Sequence, residues 1–283
     1  MAAYDGAWLD RMYNNRELVP DHPFHLQRWA DQSAQAYRTH KVERDLRYAG
    51  GPNETLDVFL PPKPGAPVLV FIHGGYWRAL DKKDHAFIGP AFTRDGACVV
   101  VPNYALCPEV TIPQIVLQMV RAVAWTYRNI RSYGGDPSRI TVAGHSAGGQ
   151  LAAMMLACLW PQFDPALPPN TVRNALAISG LHDLEPIMHT PFLQPSLRLT
   201  PRHVADASPA RLPAPAQGTL YTVAGGNESA EYLRLNRLIQ EAWGPTRVPV
   251  CEALPGLNHF SMLEAFAAPG HRLHQLALDL LHA

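Results

Sequence analysis

A serine in a tight turn is the first sign of chemistry in this 283-residue sequence. Ser146 stands at the centre of the pentapeptide G-H-S-A-G at positions 144–148, where a short apolar run ends and a stretch of small residues begins. Such a strand-to-helix turn holds the serine in an unfavourable backbone conformation, and flanking glycines avoid collisions with each other. We therefore predict that Ser146 is a nucleophile for acyl transfer, and that the backbone N–H of Ala147 donates to an oxyanion.

A serine nucleophile needs a base, and the base needs an acid that orients it. His259 follows the last predicted strand and precedes the last predicted helix, and histidine can take up and return a proton near neutral pH. Two carboxylates could orient it: Glu228 after the next-to-last strand, and Asp183 after the strand before that one. We favour Glu228, and Asp183 stays open as the alternative because only geometry can decide between them.

Two consecutive glycines could complete the oxyanion site. The apolar run Val68–Ile72 is followed at once by H-G-G-Y-W at positions 73–77. Glycine lets the backbone approach a ligand closely, and in hydrolases with a serine elbow this loop supplies oxyanion donors. We predict that the N–H groups of Gly74 and Gly75 have this role.

Aromatic residues near these motifs indicate a pocket for an aryl group. Tyr76 and Trp77 follow the glycines directly, and Tyr13 lies in an aromatic, polar segment at positions 1–40 that we predict to be an N-terminal arm with a helix. These three side chains are candidate substrate contacts, although each could equally pack in the core. The proline-rich segment 181–212 has no clear periodicity, which is typical of a lid insertion.

The elements that must position these residues alternate along the chain. Apolar runs separated by glycine, proline and helical periodicity predict a mostly parallel sheet with helices on both faces, in a single domain spanning 1–283. The predicted strands are 42–48, 55–60, 68–72, 97–101, a run ending at 144, 172–179, 219–224 and 248–254, and the predicted long helices are 112–133 and 262–282.

Composition excludes several classes of protein. The 24 basic and 24 acidic side chains balance, so no basic footprint indicates nucleic acid or a membrane surface. The longest apolar stretch, Leu151–Trp160, is too short to span a bilayer. The four cysteines contain no C-x-x-C pair and suit a reducing compartment. We expect a soluble cytoplasmic protein with a small-molecule substrate, and a homodimer is an open alternative to a monomer.

Other functional classes fit the motifs less well. A dinucleotide-binding protein would carry G-x-G-x-x-G early in the chain, whereas here Ser146 replaces the central glycine at mid-chain. The histidine pairs within 22–25 and 271–274 lack a third ligand at a diagnostic spacing. We therefore expect neither a metal nor a cofactor. A non-catalytic binding protein of the same fold and a hydrolase of longer-chain esters stay open as alternatives.

Taken together, the motifs resemble those of the serine-dependent kynurenine formamidases (arylformamidases) and related carboxylesterases of the α/β-hydrolase superfamily. The similarity covers most of the chain from about Tyr48 onward, and it lies in the segments 73–77, 144–148, 179–184 and 227–232.

The resemblance implies an α/β-hydrolase fold and assigns roles to six residues. These are the nucleophile Ser146, the acid Glu228, the base His259 and the oxyanion donors Gly74, Gly75 and Ala147. The substrate that it implies is a short-chain ester or an aryl formamide such as N-formylkynurenine. The chain departs from the family at Glu228, where members often carry aspartate.

Overall fold

The computed structural model describes residues 4–283 and contains one eight-stranded sheet over that range. The strands are β1 Val42–Arg47, β2 Thr55–Phe59, β3 Ala66–Ile72, β4 Cys98–Pro102, β5 Gly135–His145, β6 Asn174–Ile178, β7 Thr219–Gly225 and β8 Val250–Leu254. Their order across the sheet is β1-β2-β4-β3-β5-β6-β7-β8. The pairs β1–β2 and β2–β4 are antiparallel and all later pairs are parallel. The predicted fold class is confirmed.

Helices cover both faces of this sheet. They are α1 Gly6–Tyr13, α2 Asn15–Leu18, α3 His22–Thr39, α4 Ile88–Thr93, α5 Ile112–Asn129, α6 Ala147–Ala157, α7 Trp160–Phe163, α8 Glu185–Met188, α9 Gln194–Leu197, α10 Pro201–Ala207, α11 Ala230–Trp243, α12 Ser261–Ala267 and α13 Arg272–His282. Short 3-10 turns lie at Lys82–Asp84, Ile130–Tyr133 and Pro209–Arg211. None of the helices within 4–283 combines the length and apolar character needed to cross a membrane.

Strand β3 shows why the central strands read as continuous apolar runs. Every residue of β3 is buried. Val68, Val70 and Ile72 pack into the hydrophobic core on one face of the sheet, and Leu69 and Phe71 pack into the core on the other face. Since successive side chains of a strand point to opposite faces, a strand covered on both sides must be apolar at every position.

The register of the parallel strands brings the predicted site residues to one edge. Ile72, the last residue of β3, pairs with Gly144 in β5, and His145 pairs with Ile178 in β6. Gly225 at the end of β7 pairs with Leu254 at the end of β8. The loops that follow these strands therefore emerge side by side, although they are far apart in sequence.

The C-terminal helix differs from the prediction. The predicted helix 262–282 is two helices, α12 and α13, separated by the A-P-G sequence at 268–270. Pro269 has no N–H to continue a helix, and Gly270 adopts a φ of 80°, which is outside helical geometry. His271 then caps α13 by accepting a hydrogen bond from Leu273 N. Apolar periodicity alone concealed this break.

Candidate active site

The turn at Ser146 has the strained geometry that its sequence predicts. Ser146 has φ 57° and ψ −118° between the end of β5 and the start of α6. A methyl group added to Gly144 would lie 2.0 Å from Gly148 O, and one added to Gly148 would lie 2.0 Å from Ile72 O. Both glycines are therefore required, because any side chain would push apart the strand and helix that hold Ser146.

The imidazole of His259 is fixed by a buried carboxylate. His259 Nδ1 lies 2.7 Å from Glu228 Oε2. The other carboxylate oxygen of Glu228 accepts hydrogen bonds from Gly225 N, at 2.7 Å, and from the Ser179 hydroxyl. Since an ionised carboxylate only accepts, Nδ1 must carry the proton, and Nε2 is left with the lone pair that a base requires.

Asp183 makes different contacts. It lies in an ion pair with Arg211, with Nε 2.9 Å from Oδ1, and it accepts a hydrogen bond from Glu185 N. The structure thus brings Glu228 to His259, and places Asp183 with an arginine. This geometry favours Glu228 as the acid.

Ser146 and His259 line one cavity. Within residues 4–283, the structure shows no hydrogen bond between the Ser146 hydroxyl and the His259 ring. Serine and base often reach their closest contact only when a substrate is bound.

The loop after β3 lies against the nucleophile turn. A methyl group on Gly74 would lie 3.1 Å from Ser146 Cβ and 2.8 Å from His145 O. Gly75 has φ 106°, and its added methyl group would lie 2.2 Å from Ala79 O. Ala147 is the first residue of α6, so its N–H has no partner within the helix. Gly74 and Ala147 therefore adjoin Ser146, and Gly75 lines the same cavity as Ser146.

His145, next to Ser146, supports the imidazole of His259. Its Nε2 donates to His259 O at 2.8 Å, and the two rings lie 4.5 Å apart. Burial holds the pKa of His145 well below its usual range, and the neighbouring His259 and His85 lower it further. His145 is thus neutral at physiological pH.

The cavity at Ser146 has a volume of about 660 Å³. Clefts of this size suit a small organic molecule. Its aromatic wall includes two of the predicted contacts, Tyr13 and Tyr76, and three residues that were not predicted, Trp29, Phe192 and Phe260.

Trp77 lies elsewhere. It is fully buried and is not part of the cavity wall. Its indole N–H donates to Gln150 Oε1 at 3.1 Å, which ties the loop after β3 to helix α6. This placement corrects the expectation that Trp77 contacts a substrate: the side chain supports the loop from behind.

The N-terminal arm contributes more to the site than its sequence indicated. The Tyr13 hydroxyl donates to Glu231 Oε2 at 2.6 Å, which anchors the arm to α11. Asn15 and Arg16 of the arm also line the cavity. The polarity of the segment Tyr13–Arg16 was the available signal, because polar residues that pack on a protein body need partners there.

A further residue missed by sequence reasoning is Tyr232, in the first turn of α11. Its ring lies 4.7 Å from that of His259, and it is buried. Its signals in the sequence were its position shortly after Glu228 and its place at the end of the segment 227–232, which carries part of the family resemblance. No group of three His, Cys, Asp or Glu suited to hold a metal occurs in the part of the chain that the structure describes.

The chain is similar to known hydrolases over most of its length. The BD-FAE family model matches residues 56–177. Kynurenine formamidase of Danio rerio is 30% identical over 245 residues, which are 84% of this chain and 81% of that protein. Esterase LipQ of Mycobacterium tuberculosis is 39% identical over 155 residues, 50% of this chain and 35% of that protein. A Silicibacter structure provisionally named a thioesterase has a TM-score of 0.84 and 28% identity, covering 97% of this chain and 99% of that chain.

Proposed function

The chain belongs to the kynurenine formamidase and carboxylesterase-like family of α/β-hydrolases, and from that premise we propose that it cleaves short-chain aryl esters and aryl formamides. The observation that carries the proposal is the His259–Glu228 contact of 2.7 Å in the cavity that Ser146 lines. A serine, a histidine with its tautomer fixed and a buried acid are the parts that acyl transfer needs.

In the proposed mechanism, Ser146 Oγ attacks the substrate carbonyl while His259 Nε2 takes the hydroxyl proton. Glu228 stabilises the imidazolium that forms. The N–H groups of Gly74, Gly75 and Ala147 stabilise the negative charge on the tetrahedral intermediate. His259 then gives its proton to the leaving alcohol or aniline nitrogen. A water molecule repeats the cycle on the acyl-enzyme and releases the acid.

The cavity wall supports an aryl substrate. Tyr13, Trp29, Tyr76, Phe192 and Phe260 give it an aromatic surface, and aromatic side chains pack favourably against an aryl ring. A flat leaving group held against this surface would keep its carbonyl close to Ser146, and such positioning supplies part of the rate enhancement.

The charges at the cavity support a substrate that also carries a carboxylate. Two arginines, Arg16 and Arg78, and one acidic residue, Glu109, line the cavity. Among residues 4–283 neither arginine forms an ion pair with an acidic side chain, and Arg78 donates to Phe192 O and Ser196 Oγ. Burial lowers the pKa of Arg78, Tyr76 opposes that effect, and the charge of Arg16 lowers the pKa further. Guanidinium groups that line one cavity can both contact an anion bound there. We therefore propose N-formylkynurenine, an aryl formamide with a carboxylate, as a substrate.

The test compares specificity constants for N-formylkynurenine and for aryl esters of formate, acetate, butyrate and octanoate. We expect cleavage of the formamide and a decline with acyl length among the esters. A preference for octanoate with no cleavage of the formamide would contradict the formamidase proposal and leave an esterase.

The nucleophile is tested in the same assay with Ser146→Ala. We expect normal folding and a fall in turnover of at least about a thousandfold, because the covalent step is lost. Ser132→Ala, at an exposed serine in a 3-10 turn, is the matched control and should keep full activity. Near wild-type turnover in Ser146→Ala, with fluorophosphonate labelling at another residue, would contradict the assignment.

The cysteines support a proposal about the compartment. All four are unpaired, and free thiols are typical of proteins in reducing surroundings. We propose a cytoplasmic location, which cell fractionation of the native organism would test.

A further inference from the structure

Three polar side chains from distant parts of the chain meet beside the proposed catalytic residues. Asn15 comes from the arm, Tyr76 from the loop after β3, and Tyr232 from α11. We call these three residues the hydroxyl cluster. The two tyrosine oxygens lie 2.7 Å apart, and Asn15 Nδ2 donates to Tyr232 Oη at 2.8 Å and to Tyr76 Oη at 3.3 Å.

The number of hydroxyl protons determines which tyrosine donates in the hydrogen bond between Tyr76 and Tyr232. The Tyr76 hydroxyl donates to Tyr13 O at 2.6 Å, and a carbonyl oxygen can only accept. The single proton of Tyr76 is therefore used, and Tyr232 must supply the proton in any hydrogen bond between the two hydroxyls. The Tyr232 oxygen in turn accepts from Asn15. The Tyr232 hydroxyl is thus held by Asn15, which belongs to the arm, and by Tyr76, which belongs to the proposed oxyanion loop.

The ring of Tyr232, whose hydroxyl is held in this way, packs against the imidazole of His259, the proposed base. It lies 4.7 Å from the His259 ring, with 51° between the planes, while Glu228 holds only Nδ1 of the same imidazole. The His145 ring also packs against this imidazole, but one hydrogen bond and one neighbouring ring leave it some freedom to tilt. An aromatic ring packed against it restricts the tilt, and so fixes where Nε2 points.

The cluster also reaches the proposed nucleophile. Asn15 and Tyr76 of the cluster line the same cavity as Ser146. Burial raises the pKa of the Tyr232 hydroxyl, the hydrogen bonds with Tyr76 and Asn15 oppose that rise, and the charge of Glu228 adds to it. Tyr232 therefore joins the arm to His259 beside the cavity that Ser146 lines.

We propose that Tyr232 is a positioning residue for the reaction, which acts by holding the His259 ring in line with Ser146, and that Asn15 of the N-terminal arm is needed for this action. The proposal rests on the function proposed above. It makes the arm a part of the catalytic apparatus, in addition to its contribution to the cavity wall.

The test is Tyr232→Phe, which keeps the ring and removes only the hydroxyl. We expect kcat to fall about tenfold, which corresponds to the loss of one buried hydrogen bond, while KM changes less than about twofold because the tyrosine does not bind the leaving group. The rate of fluorophosphonate labelling should fall in parallel, since labelling also needs Ser146 and His259 in line. Tyr37→Phe is the matched control, because it removes a hydroxyl bonded to Asp57 at 2.6 Å outside the cavity; it should lower stability but leave kcat unchanged.

Asn15→Ala provides a second, independent variant. It should lower kcat by a larger factor than it changes KM, and the double variant with Tyr232→Phe should be no slower than Asn15→Ala alone, because both changes act through the same cluster. Two results would overturn the proposal: a kcat within twofold of wild type in both single variants, or losses that multiply in the double variant. If instead wild-type Ser146 takes up no fluorophosphonate label, the proposed function fails, and that result is distinct from equal labelling rates in wild type and Tyr232→Phe.

Discussion

The two candidate acids make different contacts, and this gives them different expected roles. Glu228→Ala should lower kcat by about a thousandfold or more, because His259 loses the partner that fixes its tautomer. Asp183→Ala should keep kcat within about threefold of wild type. It removes an ion pair with the half-exposed Arg211, which contributes little, and a hydrogen bond from Glu185 N, and neither contact involves His259. Steady-state kinetics with a short-chain aryl ester would measure both. A larger loss in Asp183→Ala than in Glu228→Ala would show that the acid follows β6 instead.

The unpaired guanidinium groups at the cavity lead to a prediction about charge selectivity. Arg16→Gln should lower kcat/KM for N-formylkynurenine relative to a neutral aryl acetate by about two- to fivefold, the range expected for an exposed ionic contact. The difference should shrink at high salt because screening weakens such contacts. Arg11→Gln, at an exposed arginine outside the cavity, is the control. An equal loss for both substrates would mean that Arg16 does not recognise the carboxylate.

At the scale of the elements, two opposing effects would act on a Gly148→Ala substitution, because Gly148 lies where α6 contacts β3. Helix propensity alone favours alanine over glycine by about 1 kcal/mol. The added methyl group would lie 2.0 Å from Ile72 O and 2.8 Å from His73 O, however, and both atoms are backbone. Moving packed backbone costs more than the propensity gains, about 1–3 kcal/mol or above.

We therefore expect Gly148→Ala to lower the free energy of unfolding by roughly 2 kcal/mol or more, the upper part of the range for overpacking, and to reduce activity. Urea unfolding followed by circular dichroism would measure the change. Gly50→Ala is the control, since no atom lies within 4 Å of the added methyl group. A Gly148→Ala protein more stable than wild type would mean that the strand and helix can separate freely.

The elements themselves were largely predictable, and the reasons lie in particular residues. The run Val68–Ile72 is apolar at every position because both faces of β3 are covered, so the sequence marks it clearly. The break at Pro269 was missed because apolar residues on both sides keep a helical period. The contacts of Tyr232 and Trp77 could not be predicted, since pattern shows that an aromatic residue is buried but not which distant atoms it meets. Glu228 could be ranked above Asp183 but not separated from it without the geometry.

At the scale of the whole molecule, the buried histidines predict how stability depends on pH. Burial lowers the pKa of four of them, His73, His85, His145 and His182, and for His182 to about 3. In the unfolded chain these groups bind protons below about pH 6.5. The unfolded state therefore binds more protons as the pH falls, and stability is lost as the pH falls below about 6.5, by up to about 1.4 kcal/mol per pH unit for each histidine. For His182 this loss continues until the pH reaches its folded pKa of about 3.

His182 gives a sharp test because neither of its ring nitrogens has a hydrogen-bond partner in the part of the chain that the structure describes. His182→Leu should reduce the slope of unfolding free energy against pH by roughly one proton. His282→Leu, at an exposed histidine near the C-terminal residue, is the control for the loss of an imidazole. Chemical denaturation at several pH values between 5 and 7.5 would measure the slopes, and identical slopes in His182→Leu and wild type would contradict the assignment.

The contacts of the arm determine when the active structure can form during synthesis of the chain. Tyr13 and Glu231 are 218 positions apart, and Asn15 and Tyr232 are 217 apart. On the ribosome the arm emerges before its partners on α11, which follow only after most of the sheet. A nascent chain therefore holds the arm and Ser146 without Glu228 and His259 until the segment that carries those two residues has been made. Contacts this distant in sequence also slow folding, because a long loop must close before they form. Newly made chains should thus acquire hydrolytic activity late and abruptly, after release of the C-terminal segment.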